Sequence, residues 1–339
     1  MRKIRKFTTP PVFISSASAV GREERQGPLG HLFDLSDSNG FFGMRTLELG
    51  ESEMERSALN AALTKASLSH SELDILIAGD LQNQCLGTAG ALSSFGVPFL
   101  GIYGACSTCT EGLLLLSEMI SSGAAELGAA VTGSHNSVAE RQFRTPLEYG
   151  AQRPPSAQWT ATASGAFILA HPSRPEAEGH SVEITEYLPG RLVDSGSLDG
   201  GNMGGAMAFS AYDTLLRYFS DTDARVGDFD LIVTGDLGQV GLDILNYLCR
   251  DTLPGVSSRL CDCGLMLYDT KTQDVHSGGS GCGCSASVLS AYLLPKLIEG
   301  SLRDILFLST GAMMSGSSVL QKASILGITP LIRIRRAQS

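Results

Sequence analysis

Two stretches of this chain occur twice, in the same order. Asp74-Ile-Leu-Ile-Ala-Gly-Asp80-Leu-Gln is matched by Asp230-Leu-Ile-Val-Thr-Gly-Asp236-Leu-Gly, and Gly104-Ala-Cys-Ser-Thr108 by Gly281-Cys-Gly-Cys-Ser285. Chance likeness of apolar strands is the plain alternative, but two collinear matches with shared Gly-Asp and glycine positions favour a duplication. In each copy an apolar run of strand length meets a glycine-bearing turn and then a helix-forming stretch. That order is the signature of strand–helix–strand units, hence of a parallel sheet covered by helices. The chain therefore reads as a duplicated α/β fold, with one half over residues 1–175 and the other over 176–339. Its 339 residues suffice for a large core in each.

The elements follow from the same reading. Val12–Val20 is a first strand, Gly21 to Gly43 a long polar loop, and Glu51 to Lys65 a helix. Leu73–Ala78 and Val97–Tyr103 are buried strands, with a helix between them at Ala89–Phe95. Leu113–Ile120 is helical, Ala129–Thr132 a strand, and Trp159–Ala170 the strand that closes the first half. Between the last two, Arg144 to Gln158 carries Pro146, Pro154 and Pro155 and little periodicity.

Composition narrows the partners. A formal net charge of −10 argues against nucleic acid, because phosphate contacts need clustered Lys and Arg. Both ends run against that balance, with Met1-Arg-Lys-Ile-Arg-Lys6 and Arg333-Ile-Arg-Arg336. They read either as solvated basic tails or as weak attraction to an anionic membrane surface. No apolar run reaches the length of a membrane span, and no signal-peptide core follows the basic start, so a soluble or peripheral protein is expected. Eight cysteines, several in close pairs, do not resemble a secreted disulfide scaffold.

The chemistry-bearing candidates start at Cys106. It stands at the strand-to-helix turn Gly104–Gly112, where backbone N–H groups and the positive helix end favour a thiolate. An inert buried cysteine is the bland alternative. The second copy places Gly283 opposite Cys106, so one pocket at the pseudo-twofold is expected. Cys106-x-x-Cys109 argues little for a redox dithiol, because Cys109 falls inside the helix. The pairs Cys261/Cys263 and Cys282/Cys284 are spaced too closely for an ordinary zinc site. Ser134-His135-Asn136 follows a buried strand and belongs at the same sheet edge, where His135 can orient a ligand, donate to an anion or act as a base. Glu140, Arg141 and Arg144 follow, an arginine there being able to clamp a carboxylate, unless the cluster is a solvated surface. His276, ahead of a glycine-rich turn, is expected to converge on Cys106.

These residues resemble a family. Tyr103-Gly-Ala-Cys-Ser-Thr-Cys-Thr-Glu-Gly112 is similar to the nucleophile turn of the thiolase superfamily, and Val131-Thr-Gly-Ser-His-Asn-Ser137 to the loop after its next strand. Thr162-Ala-Ser-Gly-Ala166, His276-x-x-Gly279 and Ser309-Thr-Gly-Ala-Met-Met-Ser315 resemble its closing strand, histidine loop and C-terminal glycine loop. The resemblance implies the duplicated five-layer α/β/α/β/α fold and a homodimer. It also implies an acyltransferase reading, with a thioester on Cys106 and His276 beside it. Against that reading, Ser309 and Thr310 stand where thiolases carry a second reactive cysteine, and no His-Gly-Asn segment of the ketoacyl-synthase kind is present.

A narrower resemblance lies in Ala78-Gly-Asp-Leu-Gln-Asn-Gln84, in Gly133-Ser-His-Asn136 and above all in Glu148-Tyr-Gly-Ala-Gln-Arg-Pro-Pro-Ser-Ala-Gln-Trp-Thr160. It points to the sporulation branch of the superfamily. It implies binding of dipicolinic acid (pyridine-2,6-dicarboxylate), free or as its calcium chelate, for uptake into the developing spore, without thiolysis or condensation. It further implies a peripheral place on the inner spore membrane and partners from the same sporulation operon. No cofactor and no resident metal are implied. The ligand's polar contacts fall to Cys106, Ser134, His135, Asn136, Arg144 and His276, with Asp80 and Glu140 as oxygen donors if calcium enters. A third reading makes the chain an assembly scaffold that keeps the fold for its dimer surface.

Overall fold

The computed structural model describes residues 4–140 and 152–337. Ten strands form one continuous path: β1 (Val12–Val20), β2 (Ile75–Gly79), β3 (Phe99–Gly101), β4 (Leu127–Ser134), β5 (Ala163–Ala170), β6 (Val182–Leu188), β7 (Leu231–Thr234), β8 (Leu260–Asp262), β9 (Asp304–Leu308) and β10 (Leu331–Arg336). Their spatial order is β8-β7-β9-β10-β6-β1-β5-β4-β2-β3, with the short strands Arg5–Lys6 and Leu35–Ser36 attached beside it. The order is a palindrome in which each strand of the first half finds its equivalent five strands later. Directions repeat too: β3·β2·β4 and β8·β7·β9 are parallel, and β5 and β10 run antiparallel to their neighbours. Within the ten-strand path the halves meet where Val12 of β1 pairs antiparallel with Glu183 of β6, and Arg5–Lys6 adds a second antiparallel crossing onto β6.

Side-chain alternation sorts the core into layers. On β2, Ile75 and Ile77 face one cluster while Leu76 and Ala78 face another; on β9, Ile305 and Phe307 part from Leu306 and Leu308 in the same way. The shared inner cluster lies between the half-sheets and includes helix α2 (Thr108–Ser121) and the helical run from α5 (Cys282–Val288) to Glu299. The outer faces are covered by α1 (Leu47–Ala66) on the first half and by α3 (Met203–Asp221) and α4 (Gly238–Cys249) on the second. Five α/β/α/β/α layers result. Strands buried on both faces explain why these runs lack the apolar–polar alternation of a one-sided sheet.

Four sequence expectations need correction. The Gly21–Gly43 stretch is not all loop: it holds a helix at Arg22–Gln26 and the strand Leu35–Ser36. Trp159–Ala170 is two strands. Trp159–Thr160 pairs in parallel with Gly279–Ser280, outside the large sheet. The chain then changes direction where Thr162 N donates to the buried Glu24 carboxylate at 3.0 Å and Gly21 N donates to Thr162 O at 2.7 Å. The Val97–Tyr103 run yields only the short edge strand β3, whose three residues are exposed in the single chain. The basic C-terminal segment is no tail, because β10 lies inside the sheet. Arg333 Nε and Nη2 donate to Asp304 at 2.8 and 2.6 Å, and Nη1 donates to Glu186 at 2.9 Å. At the other end, Arg5 and Lys6 pair with Glu118 and Glu186.

Candidate functional site

Hydroxyls of its own neighbours close the Cys106 turn. Ser107 Oγ donates to Gly104 O at 2.7 Å, Thr108 Oγ1 donates to Ala105 O at 2.7 Å, and Gly104 N donates to Thr108 Oγ1 at 3.1 Å. The tightness forces Ala105 into the left-handed region, φ +52°, a conformation that costs a non-glycine residue roughly 1–3 kcal/mol. The equivalent corner of the second half has no room for a thiol. A Cβ on Gly283 would stand 1.9 Å from Ala163 O. The asymmetry between Cys106 and Gly283 is therefore a packing consequence, with α5 lying directly on β5.

Cys106 is buried, and its Sγ lies 3.7 Å from Ser280 Oγ. Ser280 Oγ donates to Asp236 Oδ2 at 3.0 Å, as does Gly281 N at 3.0 Å, while Thr310 Oγ1 donates to Asp236 Oδ1 at 2.6 Å. Asp236, noted in the sequence only as a mark of the repeat, is thus the hub of this site. Burial pushes its carboxyl up to about 7, against the opposing hydrogen bonds of Thr310 and Cys106. The same burial, then the Asp236 charge, pushes the Cys106 thiol well above its ordinary value. The expected thiolate is corrected: removal from water outweighs the favourable field of the short turn ahead of α2.

Nor does His276 converge on Cys106. Its Nδ1 lies 2.9 Å from Pro154 O and its Nε2 3.0 Å from Asp274 Oδ1, at the surface and in the left-handed region at φ +50°. Ser134 is occupied structurally, its Oγ donating to Ala161 O at 2.8 Å and accepting from Gly283 N at 3.2 Å. Asp80 is likewise engaged. Oδ1 accepts from Gln82 N at 2.7 Å, and Oδ2 from Thr88 N and Oγ1 at 2.7 and 2.8 Å. Glu140 Oε1 accepts from Thr160 Oγ1 at 2.9 Å. Among the described residues, no group of three or more His, Cys, Asp or Glu is placed to hold a metal ion by itself. Arg141, Arg144 and Glu148–Ala151 lie outside the described residues.

His135 and Asn136 enter a different place, a cleft of about 190 Å³ between the Arg22–Gln26 helix, the end of β4 and Trp159. His135 is buried, its Nε2 3.0 Å from Gly40 O. Two donors in the wall, Asn136 Nδ2 and Trp159 Nε1, are buried without an acceptor. Arg22 at the rim is exposed and pairs with no carboxylate among the described residues. Glu23 and Glu24 of the same short helix also line the cleft. Burial holds Glu24 up to about 7, against the hydrogen bond from Tyr268. Arg22 gave no signal in the sequence, because nothing marks which side of a loop faces a distant strand end. Trp159 was not expected at a site either, although it falls in the Glu148–Thr160 stretch that carries the narrower resemblance.

Solved structures place this architecture in a class. The chain superposes on 3-oxoacyl-[acyl-carrier-protein] synthase III from Aquifex aeolicus VF5 with TM-score 0.58 and 16% identity, covering 95% of this chain and 99% of that one. Human mitochondrial 3-ketoacyl-CoA thiolase in complex with CoA gives 0.61 at 12% identity, with 98% and 99% covered. An OleA of Xanthomonas campestris gives 0.62 at 14%, with 98% and 100% covered. The fold is that of the thiolase-like enzymes. In sequence, residues 2–335 match the profile of stage V sporulation protein AD. The Stage V sporulation protein AD of Bacillus subtilis (strain 168) is 38% identical over 328 residues, 96% of this chain and 95% of that protein. The chain belongs to the stage V sporulation protein AD family, which gives it a role in sporulation on a thiolase-like scaffold.

Proposed function

We propose that this protein binds dipicolinic acid, free or as its calcium chelate, for uptake into the developing spore, and that it catalyses neither thiolysis nor condensation. The observation that carries the reading is the pair of buried donors without acceptors, Asn136 Nδ2 and Trp159 Nε1, in the cleft rimmed by Arg22. A small planar dianion supplies acceptors to such donors, and leaving them unfilled costs roughly 1–3 kcal/mol each. The volume suits a single substituted ring rather than a drug-sized or acyl-chain ligand. When calcium accompanies the dianion, Glu23, which lines the cleft, is the oxygen donor we propose for it. Cys106 argues for the non-catalytic side of the proposal, its thiol being held neutral and joined to Ser280 and Asp236 rather than to a histidine.

Calorimetry of the whole protein with dipicolinate, with and without calcium, tests this. Binding weakened at least tenfold by Arg22→Ala and by Asn136→Leu is expected, with Cys106→Ser close to the native value. No heat at millimolar ligand, or dependence on Cys106 alone, would defeat it. A stable mass adduct from acyl-CoA that disappears in Cys106→Ser would turn the reading to acyl transfer.

Two further parts of the proposal concern partners. Exposed Phe99 and Leu100 on the unpaired edge of β3, with Leu86 and Tyr103 nearby in sequence, suit a homodimer that continues the sheet. No helix among the described residues is long and apolar enough to cross a membrane, and Arg5, Lys6 and Arg333 are engaged by carboxylates. Attachment to the inner spore membrane therefore runs through partner proteins of the same operon.

A further inference from the structure

On the other side of Trp159 lies a second cleft, of about 180 Å³, lined by Glu140, Arg153, Gln158, Gly200, Gly201 and Met203. We propose that this cleft is a separate ligand site that takes a small zwitterion with the chemistry of an α-amino acid.

Arg153 supplies the positive side. Its side chain is only 6% exposed, and its Nη2 lies 2.6 Å from Asp274 O and 3.0 Å from Asp274 Oδ2. The guanidinium lies 5.0 Å from the centre of the Trp159 ring, and its Nη1 is buried with no acceptor. A guanidinium held on both sides and open at one nitrogen is pre-organised for a carboxylate oxygen. The start of α3 adds to this. Asn202 caps only Gly205 N, at 3.1 Å, which leaves the N–H groups of Met203 and Gly204 at the positive end of a 19-residue helix.

Gln158 and Glu140 supply the opposite character. Gln158 Nε2 donates to Asp236 O and Gly279 O at 2.5 and 2.7 Å, which fixes the amide so that Oε1 is an acceptor. That oxygen is buried and receives no donor. It sits over the first turn of α3, where a Cβ on Gly204 would stand 3.3 Å from it. One cleft thus presents a donor without an acceptor, an acceptor without a donor, and a carboxylate. A dicarboxylate brings no donor for Gln158 Oε1, which dipicolinate would therefore leave unsatisfied. A carboxylate with an ammonium or amide donor satisfies both ends.

The test is titration of the full-length protein by ligand-observed NMR with glycine, L-serine and L-asparagine, and with propionate and ethylamine as half-ligands. Saturable binding of at least one amino acid is expected, at least tenfold tighter than either half-ligand. It should weaken at least tenfold in Gln158→Leu and in Met203→Trp, which adds bulk to the cleft lining without removing either member of the Arg153–Asp274 pair. Dipicolinate calorimetry on Met203→Trp separates the two sites: unchanged dipicolinate binding with lost amino-acid binding supports them both. Propionate binding as tightly as the amino acids overturns the assignment, as does amino-acid affinity that Met203→Trp leaves unchanged. No saturable binding of any amino acid to the native protein overturns it too, whatever dipicolinate does.

Discussion

Replacing Asp236 by Asn should make Cys106 more reactive, not less. The two groups share Ser280 Oγ, which lies 3.7 Å from the sulfur and 3.0 Å from the carboxylate. An ordinary thiol is about one-tenth thiolate at pH 7.5. Cys106 lies below that fraction, because burial and the Asp236 charge both oppose ionisation. Two unit charges about 5 Å apart at an effective dielectric near 20 repel by roughly 3 kcal/mol. Since Asp236 itself titrates near 7, only part of that repulsion acts at neutral pH. Its removal should speed alkylation roughly ten- to hundredfold at pH 8, each tenfold being about 1.4 kcal/mol. The assay is iodoacetamide labelling from pH 6.5 to 9.5, read as the mass of the Cys106 peptide so that the other seven cysteines do not interfere. Access is the same in native and variant protein, so their ratio isolates the charge. Native labelling that already levels off below pH 7 would refute the reasoning and restore an activated nucleophile. A slower Asp236→Asn would refute it as well.

The part of the stability set by Glu24 and Asp236 should fall as pH rises from about 4 to 7 and level off above that. Glu24 and Asp236 have folded-state values raised to about 7, so the stability tied to their protons is whole below the unfolded values near 4 and is lost as pH rises through 7. Each contributes on the order of 3 kcal/mol over that span, seen as a melting temperature that drops with pH. Glu55, fully buried with neither oxygen partnered and raised well above its ordinary value by burial and then by Asp80, should accept Glu55→Gln without loss at pH 7 and show a flatter profile above it. Arg333→Met strands Glu186 and Asp304 and should cost about 3–5 kcal/mol in denaturant melts, much of it recovered by adding Glu186→Gln. Leu100→Arg on the β3 edge should shift the proposed dimer to monomer in sedimentation while leaving the circular-dichroism spectrum unchanged.

How much of this was legible beforehand depended on the range of the interaction involved. Strand and helix positions around β1, β2, α1, α2 and β4 follow from local apolar runs, and the Gly-Asp repeat announced the pseudo-symmetry that the strand order displays. The Trp159 break did not show, because Ala161 and Thr162 have no turn chemistry of their own. The buried carboxylate of Glu24, 138 residues away in the chain, redirects them. The exposure of β3 was equally hidden, since an apolar strand reads alike whether a layer or a partner covers it.

Sequence alone determined the duplicated α/β architecture, the superfamily resemblance and the singular thiol, because period, glycine position and residue identity are local properties that survive without coordinates. Tertiary structure decided what those residues meet. It set Asp236 beside Cys106, sent His276 to Asp274, spent Ser134 and Asp80 on the backbone, and gathered Arg22, Asn136 and Trp159 around one cleft. Charge state and ligand access depend on burial and on partners distant in the chain, and packing alone supplies these.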